Sequence, residues 1–149
     1  TFAGACDKDP ISDGIRADAG MAKKLRTAPE NVAVADRVLV LETYLWRDFM
    51  PISEPGGKPL RCVDKLSDTA GRGLPSDIVA VRQHVLKGDS IWTSGYDQVK
   101  KVSDQLLEAS VSGGPKWGPG IEVDVVCEFT IGGEPYRIIA RSQRIVKTQ

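Results

Sequence analysis

From Val32 onward, apolar and polar residues alternate with a period of two, the spacing of a strand whose two faces meet different surroundings. The run 121–131 is the clearest case. Ile121, Val123, Val125, Cys127, Phe129 and Ile131 fall on one face, and Glu122, Asp124, Val126, Glu128 and Thr130 on the other. Such a strand is half buried in an antiparallel sheet. Gly132-Gly133 supplies a two-residue turn, and the return strand over 134–147 sets Tyr136, Ile138 and Ala140 inward and Arg137 and Arg141 outward. The outward arginines are therefore expected to face the outward acids across the ladder.

The same pattern recurs upstream. Over 37–49, Leu39, Leu41, Leu45 and Phe49 point one way and Val38, Val40, Tyr44 and Trp46 the other, so this strand is expected to be covered on both faces for part of its length. Over 60–67, Leu60, Cys62 and Leu66 share a face that Asp64 interrupts. Over 78–86, Val79, Val81 and Val85 oppose Arg82 and His84, and Lys87-Gly88-Asp89 turns the chain into 90–96 as a hairpin. A further strand near 105–112 carries Leu107, Ala109 and Val111, whereas 97–105 shows no clear period. The stretches 51–59, 68–77 and 113–120 are rich in Gly and Pro and read as loops.

Residues 1–31 differ from the rest. A small, polar start precedes a short helical pattern over 15–26, with Ile15, Ala19, Ala22 and Leu25 on one side and Ser12 or Asp13 as the candidate cap. Gly20 weakens it by about 1 kcal/mol relative to Ala. The expected organisation is an N-terminal tether with a marginal helix over 1–31 and one domain over 32–149. About seven short strands with little helix predict an all-β fold, an antiparallel sandwich or barrel.

Composition narrows the function. Twenty Lys and Arg balance twenty Asp and Glu in 149 residues, which disfavours a nucleic-acid partner and electrostatic docking on anionic lipid. No apolar run approaches the ~20 residues of a membrane-spanning helix. No charged and then apolar leader opens the chain, so any secretion signal is expected upstream of Thr1. The three cysteines, Cys6, Cys62 and Cys127, form no C-x-x-C pair, so no zinc site is expected.

Two features resemble known families. Cys62, Trp92 and Cys127 follow the Cys…Trp…Cys order of immunoglobulin-like domains, a resemblance that implies a β-sandwich with a Cys62–Cys127 bond between its sheets. Such a bond closes a loop of ~65 residues and stabilises by about 4 kcal/mol in the chain-entropy model. The other reading of the pair is two reduced cysteines packed as small hydrophobes. Ala3-Gly4-Ala5-Cys6-Asp7 resembles the end of a bacterial lipoprotein signal, which implies acylation at Cys6 followed by a flexible tether. The other reading is a free cysteine in a loose arm.

Catalytic sets are scarce. His84 is the single histidine, no G-x-S-x-G elbow exists, and Gly71-Arg72-Gly73 and Gly56-Gly57-Lys58 lack the phosphate-loop pattern. His84 reads as an exposed or partly covered surface residue, and Glu122, Asp124 and Glu128 as a solvated face. No catalytic residue, cofactor or metal is expected. A copper site from Met50, His84 and a cysteine lacks diagnostic spacing. The loop Pro115-Lys116-Trp117-Gly118-Pro119-Gly120 is stiff and offers a large aromatic surface, so Trp117, Lys116, Trp92 and Tyr96 are the candidate contact residues. Trp117 has a second reading, a plug over the end of the core. The expectation is a non-enzymatic binding or assembly module with a protein partner. It is expected to be exported to the periplasm or cell surface, meeting membrane only through a lipid at Cys6. The alternatives are a subunit of a larger assembly and a small metal-binding protein using His84.

Overall fold

The computed structural model describes residues 13–50 and 54–148. Its elements in chain order are β1 (Gly14–Ala17), α1 (Ala19–Leu25), β2 (Asn31–Val34), β3 (Arg37–Asp48), β4 (Arg61–Asp68), β5 (Ile78–Lys87), β6 (Ser90–Gly95), β7 (Gln98–Ser103), β8 (Leu106–Val111), β9 (Glu122–Ile131) and β10 (Glu134–Thr148). The fold is all-β with one short helix, as the alternation predicts. The described strands number ten rather than about seven. They form one curled sheet in the order β1-β6-β5-β9-β10-β3-β4-β8-β7, with β2 beside β3. The three additional strands have simple origins. β1 and β2 are four-residue pieces, too short to show a period, and all six residues of the edge strand β7 are exposed, so neither face selects apolar side chains.

The sheet is not purely antiparallel. β10 pairs with β9 as far as Arg144, then Ile145–Thr148 run parallel to Leu45–Asp48 of β3. A register shift between Ala140 and Gln143 bends the strand, and Ser142 occupies the left-handed region at φ 54°. Asp124 holds this bend, accepting the Ser142 N–H at 2.9 Å, while its other oxygen accepts Arg26 Nε at 2.8 Å just past α1.

The two halves of the sheet face each other over one core. Leu39, Leu41, Leu45, Leu66, Leu107 and Val111 come from one half, and Val85, Trp92, Val125, Phe129, Ile138 and Ile145 from the other. A smaller cluster lies on the outer side of the second half, where Ala22 and Leu25 of α1 pack on Leu86, Ile91, Val126 and Ile139. Part of the expected tether is thus seated on the sheet, α1 through Ala22 and Leu25 and β1 by pairing with β6. Asp18, rather than Ser12 or Asp13, caps the helix by accepting the Met21 N–H at 2.9 Å. In β5 the alternation breaks at a shift between Ala80 and Arg82. Ile78, Ala80 and Val85 are buried in the core, and Val79 and Val81, expected inward, are exposed. Among the described residues, no helix is long and apolar enough to cross a membrane.

Two loops at one end of the sheet are joined by Arg47, which is 3 % exposed. Its guanidinium donates to the carbonyls of Lys58 at 3.0 Å, Gly118 at 2.8 Å, Lys116 at 3.3 Å and Gly56. Only a planar fork of donors reaches so many carbonyls at once.

Candidate functional site

The register places side chains in rows across the solvent side of β3, β4, β8 and β7. Tyr44 stands opposite Val63, Val63 opposite Ser110, and Ser110 opposite Gln98. The neighbouring rows are Trp46 with Arg61, and Glu42, Lys65, Glu108 and Lys100 with alternating sign. Tyr44 and Trp46, two apart on β3, share the face opposite Leu41 and Leu45, and their ring centres lie 5.1 Å apart. The Arg61 guanidinium carbon stands 5.1 Å from the Trp46 ring centre, a cation–π contact. Tyr44 remains 48 % exposed.

Beside this cluster lies a cleft of about 520 Å³, whose lining includes Trp46, Arg61, Asp97, Gln98, Glu108 and Ser110. Asp97 Oδ2 accepts the Ser112 N–H at 2.8 Å and its hydroxyl at 3.0 Å, which fixes one wall. Lys100 Nζ sits 3.8 Å from Glu108. The side chains of Arg61, Gln98 and Ser110 make no hydrogen bond among the described residues. The cleft therefore offers aromatic surface together with donors and acceptors of uncommitted geometry, the make-up of a recognition site.

A second polar cluster is buried on the outer side of the other half. His84 is fully buried, not partly covered as expected. Its Nδ1 lies 2.8 Å from Thr93 Oγ1 and its Nε2 3.0 Å from Glu128 Oε2. An ionised carboxylate only accepts, so Nε2 donates to Glu128. Arg137 Nε donates to the same Glu128 oxygen at 2.8 Å, and Arg82 lies 3.6 Å from the other. Burial pushes the Glu128 carboxyl up, but the bonds and charges of His84 and Arg137 outweigh it and hold the acid below its ordinary range. Glu128 is thus not part of a solvated face; it is 6 % exposed, and the expected pairing of outward Arg137 with an outward acid is what buries it. The order carboxylate–imidazole–hydroxyl matches a nucleophilic triad, but Thr93 is only 1 % exposed. Each His84 ring nitrogen thus has one hydrogen-bond partner, Thr93 or Glu128.

The third cluster lies inside the core. Tyr96 donates to Asp64 Oδ2 at 2.6 Å and the Cys62 thiol to Asp64 Oδ1 at 3.1 Å. Cys127 is the other polar neighbour of the Tyr96 hydroxyl. Burial raises the Asp64 pKa to about 6, against the lowering effect of the two donors. Burial likewise pushes the Cys62 and Cys127 thiols and the Tyr96 phenol upward. Both cysteines are free, with no bond between them. Gln83, opposite Cys127 in the ladder and fully buried, has no partner for either amide atom.

The remaining sequence candidates fall apart in space. Trp92 is 3 % exposed in the core, against Gly114. Trp117 packs partly buried on the same core, with Lys87 Nζ 5.5 Å from its ring centre. Lys116 pairs with Glu54 at 2.8 Å. Cys6 lies outside the described residues. Sequence reasoning missed Tyr44, Arg61, Gln98 and Ser110 as a set. The outward aromatic pair on β3 was the available signal. Among the described residues, no group of acids, cysteines and histidine has the arrangement of a metal site. No family model matches this chain, and neither a curated protein nor a solved structure matches it.

Proposed function

We propose that this chain is a non-enzymatic binding or assembly module, and that its contact surface is the cleft on the outer side of β3, β4, β8 and β7. The observation that supports this is exposed Tyr44 set against half-buried Trp46, beside the polar side chains of the cleft. Exposed aromatic surface of this kind on a sheet face marks contact sites. The immunoglobulin-like reading of the architecture rests on Cys62 and Cys127 standing on different halves of the sheet with Trp92 in the same core. Export and anchoring through Cys6 rest on the Ala3–Asp7 pattern.

A fragment screen followed by amide and indole NMR shifts tests the contact surface. Fragments gathering at the Trp46 indole and the Gln98 and Ser110 amides support it; fragments gathering elsewhere overturn it. Intact mass of protein isolated from its own cells tests the anchor, since an acyl chain at Cys6 adds a defined mass and an unmodified Cys6 removes the case.

A further inference from the structure

We infer that the occupant of this cleft is a neutral saccharide chain, an inference that rests on the contact surface proposed above. The argument begins with the rings. Tyr44 presents its ring to water, and half-buried Trp46 lies beside it with the Arg61 guanidinium over its ring. A sugar ring offers a flat face of C–H groups that stacks on such surface, while its rim carries hydroxyls that each donate and accept.

The polar lining suits that rim. Arg61 only donates, Asp97 and Glu108 only accept, and Gln98 and Ser110 do both. Adjacent hydroxyls need this mixture, and the planar groups among these residues bind two neighbouring oxygens at once. Charge excludes the other flat polymers. A phosphate backbone meets Asp97 and Glu108, and a strongly basic peptide meets Arg61; the row Glu42, Lys65, Glu108, Lys100 alternates in sign and cancels. The surface thus favours a ligand without net charge.

Shape agrees with a chain rather than a single ring. The rows cross four strands, about 14 Å at a strand spacing near 4.8 Å. The face is open to solvent at Tyr44 and at the edge strand β7, so a polymer can lie across it without threading.

Native gel electrophoresis through gels containing hydroxyethylcellulose, galactomannan or polygalacturonate tests this. Retardation by a neutral polysaccharide, weakened about tenfold in apparent affinity by Trp46→Ala and by Gln98→Ala, is the expected result. Gln98 is exposed, so its variant keeps the test independent of folding. Retardation by polygalacturonate alone, or equal retardation of both variants and the parent, overturns the inference. No retardation by any of the three, with fragments still gathering at Trp46, overturns the saccharide and leaves the contact surface standing. No fragments at Trp46 overturns both.

Discussion

Tyr96, just past β6, donates its phenolic hydrogen to Asp64 on β4 over 2.6 Å, tying the two halves of the curled sheet together through the core. The acid sits among Cys62, Cys127 and Tyr96, all pushed toward their neutral forms by the same burial that raises Asp64 to about 6.

This has a direct consequence for stability against pH. An acid whose folded pKa exceeds its unfolded value binds its proton more tightly when folded, so stability falls as pH rises from the unfolded pKa through the folded one. For Asp64 that window runs from near pH 4 to about 6. The corresponding loss is about 3 kcal/mol. Asp64→Asn removes the titration, so urea denaturation of parent and variant from pH 4 to pH 8 is expected to show the parent losing ground to the variant by that order. A constant difference across the range contradicts the assignment.

Glu128 moves the opposite way. Its depressed pKa means that its contribution is present above the unfolded value and is lost as pH falls through the folded one. Glu128→Ala strands Arg137, which is 6 % exposed, and is expected to cost about 3–5 kcal/mol. The denaturation midpoint measures it, and a near-neutral result would show that Arg137 finds another partner.

Gln83 is the odd residue of the core, fully buried with both amide atoms unpartnered. Gln83→Met keeps its length and removes the polar atoms. It is expected to stabilise by about 1–3 kcal/mol. A loss of stability on this change would reveal that something else satisfies the amide.

Gly114 tests packing alone. A methyl group there lies 2.6 Å from the Trp92 ring. Gly114→Ala is expected to destabilise by about 1–3 kcal/mol through overpacking and to shift the Trp92 fluorescence, because the indole must move. An unchanged spectrum and midpoint would mean that the loop yields instead of the ring.

Much of the fold is legible in the sequence where one strand face is buried and the other is not. The alternation from Ile121 to Ile131, the Gly132-Gly133 turn and the Arg137–Glu128 pairing follow from spacing alone. The inward position of Asp64 is legible as well, as the polar residue that breaks the Leu60–Leu66 face. β5 is misread at Val79 and Val81 because the shift between Ala80 and Arg82 exchanges the faces, and alternation carries no mark of an extra residue. His84 is correctly placed on the outer side, but its burial depends on Thr93, Glu128 and Arg137, which lie up to 53 positions away. The cleft is hidden for the same reason. Trp46, Arg61, Gln98 and Ser110 come from four strands and lie up to 64 positions apart.

The split allegiance of β10 bears on how this protein is made. It follows the other described strands in sequence, and among them it alone joins the half built around β5 and β9 to the half built around β3 and β4. Leu45 waits for Ile145, a hundred residues later, before the two can pair. During synthesis each half therefore carries an unpaired edge until β10 arrives, and these two edges are where a chain stalled before β10 is most exposed to pairing with its neighbours.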